Sequence, residues 1–313
     1  MTKFLVELGD GGKRLDQFLQ GKLGELSRSQ IQKMIKAGEI TVDGKEVAVH
    51  YFLKPGNEIK VKSQSASRRT KVNPPAGGQK SKLAGIKVIK EDKDYIVVNK
   101  PAGMVVHPDT IYKDNALVDW LVKKYPEVKK VGDDQKRPGI VHRLDKDVSG
   151  LMVVARTQKM FDYLKKQFQD RKVEKEYLAL VHGVVVKDEG LIDRPIGRTV
   201  GGVMGVGSKN KKSREAGTQY RVVERFKNFT LLKIKIFTGR THQIRAHMKS
   251  IGHGLIGDNL YVTRDIKRKK KQEDLGRVWL YACRLGFKDL DEKWQEFEVA
   301  MPEELKLFLG KIK

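Results

Sequence analysis

Apolar residues near the start of the chain recur at the spacing of two amphipathic helices. The first helix is predicted over residues 12–19 and the second over residues 26–38, where Ser27 or Ser29 can cap the start and Gly38 can end the helix. In both segments the apolar side chains recur at i, i+3 and i+4, so they share one face. These apolar positions are Leu15, Phe18, Leu19, Ile31, Met34 and Ile35.

Strand signals follow the second helix. Residues 40–42 and 46–47 flank an Asp43-Gly44 pair, which is typical of a tight hairpin turn. A Lys-Pro-Gly turn then precedes the alternating residues 58–61. Residues 1–62 are therefore predicted to form a small unit of helices and strands.

The next segment, residues 63–84, has no apolar periodicity. It is rich in Ser, Pro and Gly, and every charged side chain in it is Lys or Arg. This composition predicts a flexible basic linker between two domains.

From residue 85 to residue 313 the chain alternates between strand-like runs and helices. Helices are predicted over residues 117–124 and 159–168, and strands over residues 177–181, 219–223 and 230–236. The periodicity of this segment, taken alone, predicts only a mixed α+β domain.

The charge composition of the chain indicates what class of partner it binds. The chain has 64 Lys and Arg against 39 Asp and Glu, a formal net charge of +25. A chain this basic is typical of proteins that bind a polyanion, although a generally lysine-rich proteome would raise the charge in the same way.

Cysteine usage and hydropathy indicate the cellular compartment in which the protein works. The single cysteine, Cys283, excludes an internal disulfide bond and suits a reducing compartment. No apolar run is long enough to span a bilayer, and the N-terminus reaches Glu7 too early for a signal peptide. We therefore expect a cytoplasmic protein that does not associate with membranes.

One carboxylate stands out within residues 137–151. Asp145 lies between two apolar runs, residues 140–141 and 151–155, which both predict short buried strands. An acid on such a connection is held rigidly, and the adjacent Arg143 and Lys146 favour its ionised form. This is how a carboxylate nucleophile or base is prepared. The alternative interpretation is a surface turn that happens to contain an aspartate.

The sequence of this stretch is His-Arg-Leu-Asp at residues 142–145, followed by Ser-Gly-Leu at residues 149–151. It resembles the signature of the RluA-type pseudouridine synthases. Within that family the chain is most similar to the RluD/RluC branch. Three further motifs match the family in the same order, at residues 95–108, 175–180 and 239–247. The resemblance implies an RNA-modifying isomerase with no cofactor. It also implies a catalytic domain with a long, bent, mainly antiparallel sheet, and hence an α+β fold.

The first 62 residues resemble the S4 (alpha-L) RNA-binding module. In that family a basic helix face contacts RNA phosphates. The residues that carry this match are Arg14, Arg28, Ser29, Gln30, Lys33 and Lys36. The alternative interpretation, for the helix alone, is an ordinary solvated amphipathic face.

Pseudouridine formation breaks the N-glycosidic bond of uridine, turns the base and rejoins it through C5. The resemblance implies that Asp145 is the catalytic carboxylate, and it leaves open whether Asp145 attacks C1′ or removes a proton from C2′. It further implies that Tyr177 stacks on the target base, that Arg245 pairs with the acid, and that Arg143 enters the space left by the flipped nucleotide.

The remaining chemical signals argue against a metal or a nucleotide cofactor. His242, His247 and His253 lack the Cys pair or His-Glu-x-x-His context of a zinc site, so His242 and His247 are expected to bind backbone or phosphate groups. The glycine-rich residues 201–212 lack a strand-to-helix context and predict a mobile hairpin. The basic run 267–271 predicts a loop that adds phosphate contacts.

Three features depart from the family pattern. Leu-Tyr-Ala at residues 280–282 replaces the usual Leu-His-Ala, the Gly-Asp-x-x-Tyr-Gly turn ends in Val262, and the basic hairpin around residues 198–213 is glycine-rich. None of the three touches the residues expected to carry the chemistry, but each could change which RNA is bound. We therefore predict a monomeric RNA pseudouridine synthase that acts on large-subunit ribosomal RNA. The alternatives are a tRNA pseudouridine synthase and a non-catalytic RNA-binding or ribosome-assembly protein.

Overall fold

The computed structural model of the chain describes residues 2–23, 28–49, 51–61, 85–108, 115–199, 202–207, 213–263, 266 and 275–312. The chain divides into two compact units, Met1–Gly78 and Gln79–Lys313. The predicted linker 63–84 and the basic run 267–271 both lie wholly outside the described residues. The domain boundaries at residues 62 and 85 therefore stay predictions.

The first unit packs two helices on a small antiparallel sheet of order β1-β4-β2-β3. Its elements are β1 (Thr2–Leu5), α1 (Leu15–Lys22), α2 (Arg28–Lys36), β2 (Ile40–Val42), β3 (Lys45–Glu46) and β4 (Glu58–Val61). The hairpin between β2 and β3 turns at Asp43 and Gly44, which both have positive φ, at 51° and 76°. This is the left-handed geometry that the Asp-Gly pair predicts.

The apolar faces predicted for α1 and α2 form the core of this unit. Leu15, Leu19 and Ile31 are completely buried, and they pack with Ile40 and Ile59 from the sheet. Burying one such side chain contributes about 1.5–3 kcal/mol, so this cluster explains how a unit with short strands holds together.

The second unit is built on one nine-stranded sheet. Its strands are β5 (Lys87–Glu91), β6 (Tyr95–Lys100), β7 (Ser149–Ala155), β8 (Glu174–His182), β9 (Glu189–Asp193), β12 (Gly217–Arg225), β13 (Phe229–Ile236), β14 (Leu280–Lys288) and β15 (Trp294–Glu298). The order is β5-β6-β7-β14-β8-β13-β12-β9, with β15 on β14. Among the described strands every pairing in this sheet is antiparallel except that of β7 with β14. The predicted α+β class with a mainly antiparallel sheet is confirmed.

Helices cover both faces of the sheet around β7, and this is why all seven residues of that strand are buried. Helix α3 (Leu117–Lys124) packs on the face that contains Met152 and Val154. Helix α4 (Gln158–Gln169) packs on the opposite face, beside Leu151 and Val153. Strands buried on both faces read as continuous apolar runs, which matches residues 151–155.

Two further strands and two further α-helices belong to the described part of this unit. Strands β10 (Ile196–Arg198) and β11 (Met204–Val206) form a separate hairpin, so the glycine-rich segment does include a hairpin strand; residues 208–212 lie outside the described part. Helix α5 (Gln243–Ser250) follows β13, and helix α6 (Glu303–Ile312) packs against the buried Trp279. None of the described helices has the length and apolar character needed to cross a membrane.

Candidate active site

Asp145 lies on the connection that leads into β7, and its side chain is 17 % exposed. The sequence predicts strands on both sides of this acid, and the prediction of a strand at residues 140–141 is wrong. On that side only Ile140 forms an isolated bridge, to Val154. The reason is that the His142 Nε2 atom accepts the Val153 N–H at 3.1 Å, so a side chain takes the hydrogen bond that a strand partner would accept.

The connection ends where β7 meets β14 in the single parallel pairing of the described sheet. Ser149 pairs with Tyr281 and Gly150 with Ala282. Gly150 has φ of +125°, and an added Cβ there would overlap backbone atoms of Ala282. Only glycine allows the two strands to approach this closely. The Ser-Gly-Leu part of the signature is thereby explained by packing.

Arg245 reaches Asp145 from α5. Its Nη1 atom lies 3.4 Å from the Asp145 Oδ2 atom. Its Nε and Nη2 atoms donate to the two carboxylate oxygens of Asp258, at 2.6 and 2.9 Å. Burial disfavours the charged guanidinium, but the hydrogen bonds and charge of Asp258, and next the charge of Asp145, outweigh it and raise the pKa of Arg245. Arg245 is therefore a fixed cation beside Asp145.

Asp258 is completely buried, and its Oδ1 atom also accepts the backbone N–H groups of Leu260 and Tyr261, both at 2.9 Å. Burial disfavours the charged carboxylate, but the Arg245 hydrogen bonds more than offset it and lower the pKa of Asp258. Sequence reasoning missed this residue. The available signal was the Gly-Asp-x-x-Tyr turn at residues 257–261.

His242 begins α5 in the left-handed region, with φ of 54°. Its Nδ1 atom lies 3.0 Å from the Tyr261 hydroxyl, and its Nε2 atom lies 3.9 Å from the Asp145 Oδ2 atom. Burial lowers the pKa of His242, against the opposing charge of Asp145. The sequence predicts a backbone or phosphate partner for His242, whereas the structure gives it a tyrosine hydroxyl. His247 does bind backbone, through the Arg194 carbonyl at 2.9 Å.

Tyr177 lies on β8, beside Ala282 of β14 and Ile234 of β13. Its side chain is buried, and that burial, together with the charge of Asp145, raises the pKa of the phenol. Tyr177, Asp145 and Arg245 line one small cavity of about 60 Å³. The structure thus brings together the three residues that the sequence predicts for the chemistry.

Arg143 lies at the mouth of that cavity and is exposed. Its Nη1 atom lies 3.5 Å from the His107 Nε2 atom. Arg143 and Tyr177 also line a second, larger cavity of about 610 Å³, which we call the basic cavity. The exposed Arg143 side chain thus lines both cavities.

Lys100, at the end of β6, is completely buried. Its Nζ atom donates to the carbonyls of Pro101, Met104 and Lys146, at 2.9, 2.8 and 3.2 Å. Burial, and next the charge of Arg277, lower the pKa of Lys100 to about 7. The contact with Lys146 ties the Asp145 connection to the motif at residues 95–108. The sequence assigns no role to Lys100.

The predicted RNA-binding residues of the first unit are described in part. Arg14 donates to both oxygens of the buried Asp16, at 3.1 and 3.0 Å, and Gln32 donates to the same carboxylate. Gln30 and Lys36 are exposed on α2. The side chains of Arg28, Ser29 and Lys33 lie outside the described part of the structure. Arg14 is thus oriented by Asp16 rather than extended into solvent.

The histidines do not form a cluster suited to a metal. Within the described ranges, no group of three or more His, Cys, Asp or Glu side chains is placed to hold a metal ion. The predicted independence from metal stays a prediction, which chelation can test.

Comparison with known families separates the chain in the same way as its two compact units. The model of the RNA pseudouridylate synthase family matches residues 94–250. The model of the S4 domain matches residues 13–59. The first range contains Asp145, Tyr177 and Arg245, and the second contains α1 and α2.

Similar proteins carry the same family name. The uncharacterized RNA pseudouridine synthase YlyB of Bacillus subtilis is 36 % identical, and the match covers 94 % of this chain and 92 % of that protein. An uncharacterized RNA pseudouridine synthase of Aquifex aeolicus is 39 % identical, with the same coverage of each chain, 94 % and 92 %. The ribosomal large subunit pseudouridine synthase D of Pseudomonas aeruginosa is 38 % identical, over 80 % of this chain and 74 % of its own.

Solved structures agree at the level of the fold. Human RNA pseudouridylate synthase domain containing 1 aligns with a TM-score of 0.57 at 24 % identity, covering 70 % of this chain and 85 % of that chain. A family model over half of the chain and relatives matched over nearly their whole length lead to one conclusion: this chain belongs to the RNA pseudouridine synthases, and it is an isomerase with an S4 RNA-binding domain.

Proposed function

We propose that this enzyme converts specific uridines of large-subunit ribosomal RNA to pseudouridine. The observation that carries the proposal is the meeting of Asp145, Arg245 and Tyr177 at one cavity. The choice of RNA is supported by relatives named ribosomal large subunit pseudouridine synthase D, which are 36–38 % identical to this chain.

Asp145 is the catalytic carboxylate in this proposal. The reaction breaks the N1–C1′ bond and forms the C5–C1′ bond, and the proton lost from C5 balances the proton gained at N1. Two first steps suit Asp145, attack on C1′ and removal of the C2′ proton, and both need an ionised acid. Arg245, with its Nη1 atom 3.4 Å from the Asp145 Oδ2 atom, places an opposite charge beside the carboxylate.

Tyr177 is the platform for the detached uracil. Its ring is buried at the cavity wall beside Asp145, and base–aromatic stacking contributes about 1–3 kcal/mol. Burial raises the pKa of its phenol further above neutral pH, which suits a stacking ring or a hydrogen-bond donor better than a base.

Binding of the RNA is divided between the two units. The target nucleotide must leave its stack to reach a cavity this narrow, and flipping costs a few kcal/mol. We assign to Arg143 the space that the flipped nucleotide vacates. Residues 1–62 act as the S4 domain, with Arg14, Arg28, Ser29, Gln30, Lys33 and Lys36 on the RNA. Residues 63–84 link them to the catalytic domain, 85–313.

We further propose that the enzyme uses no metal and no cofactor, because the isomerisation requires no external electron or group carrier. We also propose that it works as a monomer in the cytoplasm. Gel filtration with light scattering at the concentration used for activity tests the monomer.

Mapping of pseudouridines at single-nucleotide resolution tests the choice of RNA. Total RNA is compared between cells that have the gene, cells that lack it, and cells that lack it but express the chain from a plasmid. We expect specific large-subunit sites to disappear and then return. Loss confined to tRNA would support the tRNA alternative. An unchanged map in a strain that expresses the chain, together with RNA binding by the purified protein, would support the non-catalytic alternative.

A further inference from the structure

The basic cavity lies beside the site of Asp145 and shares Tyr177 and Arg143 with it. Its volume is about 610 Å³, far more than one detached uracil needs. Of the described residues that line it, six are Lys or Arg and none is Asp or Glu. These cations are Arg137, Arg143, Lys165, Arg171, Lys175 and Arg240. A cavity of one sign of charge favours an anion.

Several of these cations already have partners. Arg137 and Lys165 pair with Asp134 and Asp133 at the surface. Arg171 pairs with Glu215, and Arg240 donates to the carbonyl oxygen of the same residue. Exposed pairs of this kind contribute little and are easily exchanged, so they do not identify a specific ligand position.

Lys175 differs from its neighbours because it is a buried cation. The residue is 9 % exposed, and its Nζ atom lies 5.2 Å from the centre of the Phe168 ring. Among the described residues its ammonium has this ring contact but no hydrogen-bond acceptor and no carboxylate. A buried charge that lacks a counter-ion is costly, and burial accordingly lowers the pKa of Lys175 to about 8.

The ammonium points into the basic cavity. A Cβ atom added at Gly239 would lie 3.9 Å from Lys175 Nζ, so the group faces the segment that begins the arginine motif. Lys175 and Tyr177 are buried positions that alternate with half-buried ones along β8, and they lie on the same face of the strand. Their Cα atoms are separated by about 7 Å, the rise of two strand residues, which is similar to the reach from a base to a flanking phosphate.

We propose that Lys175 binds a phosphodiester next to the target uridine, so that the basic cavity is a subsite for the nucleotide that flanks it. This inference rests on the proposed function, because Tyr177 must hold the uracil for Lys175 to meet the neighbouring phosphate. The phosphate supplies the counter-ion that the described residues do not provide for Lys175. Binding then restores the full charge of Lys175 and fixes the register of the RNA in the site.

The competing role for Lys175 is structural, in which the ammonium only packs on Phe168. Lys175→Gln removes the charge in both cases, so the RNA must be changed as well. Short RNAs that contain a mapped target uridine are made with a neutral methylphosphonate at the 5′ or the 3′ flanking phosphate. Single-turnover reactions over a range of enzyme concentrations give the half-saturating concentration and the maximal rate for each pair.

On the unmodified RNA, Lys175→Gln should raise the half-saturating concentration about tenfold, the loss expected for one charge-assisted hydrogen bond. On one of the two methylphosphonate RNAs, the variant and the wild type should then be equal. Lys175→Arg should keep most of the affinity. Lys166→Gln, which removes one exposed charge from α4 outside the basic cavity, is the matched control and should behave as wild type on all three RNAs.

Equal losses from Lys175→Gln on all three RNAs would overturn the phosphate contact and leave the packing role. Thermal unfolding of each variant separates that outcome from misfolding, and Lys175→Arg, which retains both charge and packing, gives a second comparison if the Gln variant is unstable. Failure of the proposed function is distinct, because the wild-type enzyme would then form no pseudouridine on the unmodified RNA.

Discussion

Asp258 binds two nitrogens of the Arg245 guanidinium and leaves only Nη1 to face Asp145. The fork geometry of arginine makes this division of contacts possible, and a lysine in the same place could not reproduce it. The direction of the charge beside Asp145 is thus set by a second acid, Asp258, which does not line the cavity. Asp258 is a positioning residue for Arg245.

Asp258→Asn should lower the maximal single-turnover rate about ten- to a hundredfold, because the amide holds only one of the two Arg245 nitrogens. The half-saturating RNA concentration should change little, since Asp258 does not line the cavity at which RNA arrives. Asp188→Asn, which removes an exposed acid paired with Arg225, is the control and should have no effect. A loss seen only in affinity would contradict the positioning role.

Asp145→Asn should abolish pseudouridine formation while RNA affinity stays nearly unchanged. The amide keeps the shape of the side chain but can neither attack C1′ nor accept the C2′ proton. Tritium release from C5-labelled RNA measures turnover, and filter binding measures affinity. Appreciable turnover by the purified variant would remove Asp145 from the centre of the mechanism.

Tyr177 can be tested by separating its ring from its hydroxyl. Tyr177→Leu removes the aromatic face and should reduce transition-state stabilisation by about 1–3 kcal/mol, whereas Tyr177→Phe keeps the face and should be the milder change. Single-turnover rates of the two variants decide the matter. If the Phe variant is as inactive as the Leu variant, stacking is not the main contribution and the hydroxyl acts in proton transfer.

From the burial of His142 we predict that the free energy of unfolding depends on pH. Burial, and next the charge of Lys175, lower the pKa of His142 to about 3, so the folded protein resists protonation there. Between pH 6.5 and about 3 the unfolded chain binds more protons, and the free energy of unfolding must fall as the pH falls through this window. We expect a loss of about 1–2 kcal/mol between pH 6.5 and 4.5, measured by urea unfolding. In His142→Gln, which retains an acceptor for Val153 N–H, that part of the pH dependence should vanish.

Activity should survive dialysis against a strong chelator, because no step of the proposed reaction needs a Lewis acid. The control is the same dialysis followed by addition of zinc or magnesium, which should leave the rate unchanged. Loss of activity that one of these ions restores would show that the enzyme does need a metal, contrary to what the histidine pattern predicts.

Local patterns predicted the elements of this fold well where the pattern was strong. The helix at residues 117–124 and the strands at residues 40–42 and 58–61 match the structure residue for residue. The strand at residues 140–141 fails because a side chain of the same connection, His142, captures the backbone donor that would have extended it. Periodicity records which faces are apolar, but not which group satisfies a given N–H.

The same limit applies to the site: residues within local motifs could be found, and residues defined by distant contacts could not. Asp145, Tyr177 and Arg245 could be singled out as candidates because each stands in a motif that resembles one of the family's, and the structure places all three at one cavity. Asp258 and Lys100 were missed because their contribution depends on partners far along the chain: Asp258 must meet Arg245, and Lys100 must meet the carbonyl of Lys146. Burial of a charged residue is decided by the tertiary structure, and the sequence does not reveal it residue by residue.

The position of β14 in the sheet has a consequence for the order of events in synthesis. Ala282 lies between Gly150, at the exit of the Asp145 connection, and Tyr177. Asp145 and Tyr177 therefore become neighbours only after β14 has been inserted between β7 and β8. This strand begins more than a hundred residues after Tyr177 in the sequence. Long-range pairing of this kind is slow to form. Residues 280–288 must therefore be made and folded before Asp145 and Tyr177 can share one cavity, so the site is completed late in the synthesis of each molecule.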